Sequence, residues 1–287
     1  MTEKETKTNL RHIHISAEKP RLALNLREVW EYRELIWLFT RRNFLVRYKQ
    51  TILGPAWLVL NPLLSSLMYA FVFGEIAGIG TDGVPGLLFY LCSNAVWSFF
   101  SAAVRQNAGV FTANAAVFGK VYFPRLTMPV SNVLSAAIQF GVQMSLVLVF
   151  LLHFLIRGAV SPNWGGWLLI PAVLVQLGLL ALGLGVLLSG LTAKYRDLAI
   201  AVDFGIQLWM FATPIAYPLS EIPAGWMGTA VRLNPVTMPV ELLRWALLGR
   251  GSVEWLYYGI GWAVTVLMVL LGVLVFNRVE KTFLDTV

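Results

Sequence analysis

Six stretches of seventeen residues or more in this chain contain no Asp, Glu, Lys or Arg: 50–74, 83–104, 126–156, 158–193, 204–220 and 255–277. Most exceed the roughly 20 residues that cross the hydrocarbon core of a bilayer. A charged side chain at a helix centre disfavours insertion by about 3 kcal/mol, so gaps of this length define membrane helices more sharply than hydropathy alone. An all-α integral membrane protein follows, with six spans at about 51–74, 84–106, 128–156, 167–191, 199–218 and 255–277 inside a membrane domain of residues 51–277. The fourth gap holds the turn segment Ser161–Gly166, which places its helix after that turn. The fifth is the shortest; its 17 residues make only about 25 Å of helix. Pro214 and Pro218 break its outer part, so it is expected to bend or re-enter rather than cross straight.

Composition agrees. With 57% hydrophobic and 13% charged residues over 287 positions, the polar surface is too small to cover a soluble globule. The net charge of +7 does not imply nucleic acid, because the cations lie between apolar runs rather than on one patch. They report orientation. If the spans alternate, 18 of the 22 Lys and Arg fall on one side, together with both termini, and 4 on the other. The positive-inside rule then predicts cytoplasmic termini and an even number of spans; five or seven would spoil the asymmetry. Trp164, Trp167, Trp226, Trp255, Tyr257 and Tyr258 fall near the expected outer ends, where amphipathic rings suit the headgroup layer.

Outside the spans, residues 1–21 read as a polar cytoplasmic tail without a secretory signal, and 278–287 as a second cytoplasmic tail. Residues 22–50 read as an amphipathic interface helix. Leu26, Val29, Tyr32, Ile36 and Phe39 recur on one face, opposite Arg27, Glu31 and Glu34. The outer loop 219–254 carries apolar pieces at 222–233 and 236–248, too short to cross, which are expected to form a cap of two short helices, re-entrant or gating.

The chemistry that is absent narrows the function. No G-x-x-x-x-G-K-[ST] phosphate loop occurs, so ATP, if used, must be held and hydrolysed by another chain. Ion-coupled carriers need an ionisable group near the midplane, yet Glu75 and Asp203 are the only acids in or beside a span and both lie near an end. Intramembrane catalysis needs convergent acid and base groups, and His153, the single intramembrane histidine, has no acidic neighbour in sequence and reads as an outer-interface residue. The lone Cys92 reads as core packing, and no metal site or cofactor is expected in this chain.

What the spans do contain is aromatic. Trp57, Tyr69, Phe71, Phe73, Phe89, Tyr90, Trp97, Phe99, Phe100, Trp209, Phe211 and Tyr217 crowd the first, second and fifth. Rings of this density could line a conduit on which sugars stack and slide without being held by fixed hydrogen bonds. Each ring taken singly has a second reading, facing lipid or a neighbouring helix. Ala181, Gly185 and Ser189 form a small-residue stripe that lets two backbones approach. Asn61-Pro62 frees backbone carbonyls inside the first span, so a bend there should face protein or a wet cavity.

The segment Arg41-Arg42-Asn43-Phe44-Leu45-Val46-Arg47-Tyr48-Lys49-Gln50-Thr51-Ile52-Leu53-Gly54, followed by Trp57 and Asn61-Pro62, resembles the start of polysaccharide and polyol-phosphate export permeases of the ABC exporters. The turn Lys194-Tyr195-Arg196-Asp197, the Asn234-Pro235 step and the tail containing Glu280-Lys281-Thr282-Phe283 extend the resemblance over nearly the whole chain. It implies a bacterial inner-membrane permease acting as two copies, with two ATP- and Mg-binding subunits docked below and lipid-linked O antigen, teichoic acid or capsule polymer as cargo. It also implies that the cytoplasmic loop from Phe111 through Phe118, Lys120, Tyr122, Phe123, Pro124 and Arg125 couples to the ATPase, with Lys194, Tyr195, Arg196 and Asp197 as a second contact. Arg41, Arg42, Arg47, Tyr48 and Lys49 would flank that contact or meet a lipid headgroup. A permease for a small hydrophobic drug or lipid fits the same aromatic spans. An ion-coupled carrier, a membrane scaffold or an enzyme of lipid-linked sugars are the readings from other classes.

Overall fold

A computed structural model of the chain describes residues 26–49, 51–118, 120, 123–195 and 197–283. The expected tail 1–21, the start of the interface helix, Tyr122, Arg196, residues 284–287 and the side chains of Arg47, Tyr48 and Glu280-Lys281-Thr282-Phe283 lie outside the described residues. Within them the chain is helical throughout, with no strand.

Two helices come first, α1 (Leu26–Glu31) and α2 (Arg33–Tyr48), separated at Tyr32, whose φ −93°, ψ 21° leaves the helical region. The face expected to be apolar is the packed one, since Val29, Ile36 and Phe39 are buried. A second face, with Trp37, Leu38, Leu45 and Val46, is exposed. An interfacial helix needs such a face to enter the headgroup layer.

The first apolar segment runs Gly54–Ile76. A short 3-10 turn at Gly54–Ala56, with Pro55 in its first turn, leads into α3 (Trp57–Tyr69), and a wide π-type turn at Ala70–Ile76 follows. Pro62 lies inside α3 and removes one backbone donor there. Next come α4 (Gly86–Ala108), a kinked α5 (Val110–Phe118) bent at Asn114, α6 (Thr127–Ile156), α7 (Ile170–Lys194), α8 (Leu198–Phe211), α9 (Trp226–Leu233), α10 (Thr237–Leu248) and α11 (Trp255–Phe283). Among the described residues, five helical segments are long and apolar enough to cross a membrane: Gly54–Ile76, α4, α6, Trp164–Lys194 and Trp255–Val279. Helix α8 has 14 residues, about 21 Å, and is shorter than a full crossing.

Helix α4 is the axis of the fold. Of its apolar centre 83% is buried, against 17% for Gly54–Ile76 and for α6, and it contacts α3, α6, α7, α8 and α10. Helix α7 packs on α4 and α11 through small residues. A side chain at Gly185 would meet Asn107 Cβ at 2.5 Å, and one at Gly183 would meet the α11 backbone at Met268 and Val269 at 2.6 Å. The stripe Ala181, Gly185, Ser189 is buried and serves this close approach. Cys92 is buried on α4.

Candidate functional site

At the end of the molecule bearing α2, α5 and the start of α6, aromatic residues from separate elements form one core: Phe39, Phe111, Phe118, Phe123 and Phe276, with Met128 and Val186. Phe111 stacks on Phe276 at 4.8 Å, and Phe123 lies 5.5 Å from Phe39 and 5.7 Å from Phe118. Arg125 is only 8% exposed and lies over the Phe118 ring at 5.7 Å. Of the residues expected to contact a partner, Phe111, Phe118, Phe123 and Arg125 are therefore interior, and Pro124 is half-buried. Lys120, Lys194, Tyr195 and Asp197 are exposed, with the Lys194 ammonium 5.1 Å from the Tyr195 ring. The buried group makes the surface stiff; the exposed group is what another chain can touch.

A polar chain joins the interface helix to this core. Asn43 Nδ2 donates to Asn132 Oδ1 (3.0 Å), and Asn132 Nδ2 donates to Asn107 Oδ1 (3.1 Å). Arg42 lies over Phe39 and donates to Asn114 Oδ1 (3.3 Å) at the α5 kink. Thr192 Oγ1 of α7 donates to the Ala108 carbonyl at the end of α4. Side-chain amides that both donate and accept can link three helices without a buried net charge. On the outer side of α2, Arg41, Arg42 and Lys49 line a shallow groove of about 460 Å³ with Leu38, Leu45 and Val46. Cations beside aliphatic surface suit an anionic lipid headgroup.

The twelve aromatics separate into groups. Phe89, Tyr90, Trp97, Phe99 and Phe100 on α4 are at most 5% exposed. Tyr69 and Phe73 pack on Tyr90, with centroids 6.2 and 6.5 Å away. Trp97 and Trp209 pack on Phe100 at 5.7 and 5.2 Å, joining α4 to α8. Trp57, Phe71 and Phe211 are exposed, and Tyr217 is half-buried with its hydroxyl donating to the Phe211 carbonyl. The exposed rings lie on α3, the turn after it and α8. Beside them Arg105 of α4 pairs with Asp203 of α8 at 3.2 Å.

The opposite end holds the feature that sequence reading missed. Arg244 and Glu241 of α10 are 1% exposed and bonded, Nη1 to Oε1 at 2.8 Å. Arg244 Nε donates to Ser93 Oγ on α4 (2.8 Å), Nη2 donates to the Ile215 carbonyl (3.1 Å), and the guanidinium lies 3.8 Å from the Phe89 ring centre. Glu241 Oε2 accepts from the Ser252 amide. Burial lowers the Arg244 pKa from its ordinary value, and the Glu241 carboxylate opposes that shift. Asn234 completes the arrangement. Its Oδ1 accepts from Trp209 Nε1 (3.2 Å) and the Val236 amide (3.1 Å), and its Nδ2 donates to Thr213 Oγ1 (2.9 Å), so the Asn-Pro step fastens α8 to the α9–α10 cap. A charged i, i+3 pair inside an otherwise apolar short helix was the signal for Arg244 and Glu241.

The profile of the ABC-2 type transporter family matches residues 34–248, from α2 to the end of α10. The chain belongs to the ABC-2 type transporter family. As a member it is a multi-pass membrane protein and a transport subunit, and the match takes in both the aromatic core around α5 and the α9–α10 cap. Two O-antigen export system permease proteins RfbA of Klebsiella pneumoniae are 28% and 27% identical to it over 256 residues, 88% of this chain and 94% of theirs. The protein of the same name from Myxococcus xanthus is 30% identical over 200 residues, 69% of this chain and 73% of that one.

Proposed function

We propose that this chain is the permease subunit of an ATP-driven exporter that moves lipid-linked polysaccharide across the bacterial inner membrane. The observation that carries the reading is the near end-to-end similarity to permeases named for O-antigen export, which covers 94% of the length of two of them. Two copies enclose the conduit, and two ATPase subunits, which bind ATP and Mg, dock on the cytoplasmic face. Both termini are cytoplasmic. Helix α8 and the residues after it make a sixth, bent crossing, and α9 and α10 cap the outer mouth.

The docking surface is the exposed set Lys120, Lys194, Tyr195 and Asp197, carried on the aromatic core. Tyr122 and Arg196 adjoin these residues in the sequence. ATP binds the closed arrangement of the partner subunits more tightly than the open one, and this difference drives the permease. The chain α2, Asn43, Asn132, Asn107 carries the movement from the interface to α4. The conduit wall is formed by the exposed rings Trp57, Phe71 and Phe211, with the buried aromatics supporting them. Arg41, Arg42, Arg47, Tyr48 and Lys49 receive the anionic head of the lipid carrier.

The test is co-purification with the candidate ATPase in nanodiscs, followed by ATP turnover with and without lipid-linked polymer. A two-plus-two complex whose turnover responds to polymer supports the proposal. Transport that persists without any ATPase refutes it.

A further inference from the structure

Between α3 and α6 lies a cleft of about 350 Å³ whose lining is polar for a membrane segment: Thr51, Asn61, Gln139 and Gln143, with Trp57 at its edge. The geometry is regular. Trp57 and Asn61 are one i, i+4 pair on α3, and Gln139 and Gln143 are another on α6, so each pair projects from one helix face toward the cleft. Asn61 is exposed and Trp57 is 37% exposed. Gln143 Oε1 is buried and accepts no hydrogen bond among the described residues. Toward the far end of α6, Leu148, Val149, Leu152 and Ile156 are exposed aliphatic positions, with Ser145 and His153 as the polar exceptions. Hydrocarbon accepts that surface, whereas an amide facing it has no partner. The exposed amide of Asn61 and the Oε1 of Gln143 are therefore arranged for a polar occupant, with Gln139 one turn away on α6.

Among the described residues, none that lines the cleft is charged. That argues against a phosphate and for a neutral ligand. Asn and Gln side chains offer a donor and an acceptor side by side, which matches a ligand whose hydroxyls both give and take hydrogen bonds. A partly exposed indole supplies an apolar face for the C–H side of a pyranose ring. Cations that would recognise a phosphate line a different groove, on α2, through Arg41, Arg42 and Lys49.

We infer that the α3–α6 cleft is a binding site for neutral sugar residues attached to a lipid tail, held by Asn61, Gln139 and Gln143 and stacked on Trp57. The inference rests on the export reading for its place in the transport path, but sugar binding can be tested apart from export.

The experiment uses the full-length protein in nanodiscs with two photoreactive probes of equal alkyl length, one with a maltose head and one with a phosphocholine head. Labelled peptides are then mapped. The maltoside should label the peptides containing Trp57–Pro62 and Gln139–Gln143 in preference to phosphocholine. The Gln143→Leu variant should reduce that labelling about fivefold, the equilibrium effect of roughly one lost hydrogen bond, with phosphocholine labelling unchanged. Gln139→Leu is the second variant, and monodisperse elution reports that each folds. Equal labelling by the two heads, or undiminished maltoside labelling in both variants, overturns the site. A variant that loses labelling but exports polymer at the wild-type rate removes the cleft from the path and leaves the export reading intact. A wild-type protein that shows head-selective, Gln143-dependent labelling while exporting no polymer supports the sugar site and refutes the export reading.

Discussion

A guanidinium buried as completely as that of Arg244 is stable only because every nitrogen has a partner: Ser93, Glu241 and the Ile215 carbonyl share its donors, and Phe89 lies against its face. Removing the counter-charge leaves a cation with no route to water, a situation that destabilises proteins by about 3–5 kcal/mol. Glu241→Gln is therefore expected to lower the thermal midpoint of the purified protein substantially. Replacing the whole pair, as in Glu241→Leu with Arg244→Met, should be milder than either single change. Thermal unfolding followed by size-exclusion elution checks both, and a double variant worse than Glu241→Gln would contradict the account. Apolar length does not reveal the pair, because residues 236–248 are too short to cross a bilayer and their two charges read as loop charges. Asn234 is visible as a motif, but three of the four groups that its amide joins, on Trp209, Ala212 and Thr213, lie more than twenty residues back in the chain.

Helices were legible in the sequence because hydrocarbon forbids charge and unpaired backbone, which leaves long neutral runs as the record of each crossing. Which face of each helix meets protein was not legible. Lipid tails are as apolar as Leu, so no hydrophobic contrast marks a buried side, and the aromatics of α4 read equally well as conduit or core. The structure assigns Phe89, Tyr90 and Phe100 to the core and leaves Trp57, Phe71 and Phe211 outside. Small residues are the exception, since they mark close approach directly. A Cβ on Gly183 would lie 2.6 Å from the α11 backbone, and one on Gly272 would lie 2.3 Å from the Gly183 carbonyl oxygen. Backbone cannot swing aside as a side chain can. Gly183→Ala should push α7 from α11 and destabilise the protein by about 1–3 kcal/mol, the usual range for overpacking. Gly205→Ala on α8, where nothing lies within 4 Å, is the control. Comparable midpoints for the two variants would show that the helices separate freely.

At the scale of the whole molecule, the exposed faces differ in kind. On α11 the exposed positions Leu256, Val266, Leu267, Leu270, Leu271 and Leu274 are aliphatic. On α3 and α8 the exposed positions include Asn61, Asp203 and Gln207 beside Trp57, Phe204 and Phe211. Polar groups facing hydrocarbon are disfavoured, so α11 suits lipid, while α3 and α8 suit a conduit or a second copy across a two-fold. The end bearing α2 and α5 is governed by the same distinction between exposed and interior. Reversing Arg125 would break the core that holds Phe118, so the informative change for ATPase docking is Lys120→Glu with Lys194→Glu, two exposed cations. That variant should keep its midpoint and lose co-purifying ATPase; an unchanged ratio would remove these residues from the docking surface. The proposed two-fold is open to direct measurement, because Cys92 is the single cysteine and can be replaced by Ala. In that background, Phe71→Cys and Phe211→Cys should form covalent dimers in native membranes with a flexible bis-maleimide long enough to reach across the conduit, since a direct disulfide requires Cα atoms within about 7 Å, and Leu267→Cys on α11 should not. The three positions are 56%, 56% and 50% exposed, so accessibility alone would make them react alike. Only a second copy seated along α3 and α8 separates the first two from the third, and dimers formed chiefly through Leu267→Cys would place the two-fold on α11 and turn the aromatic face toward lipid.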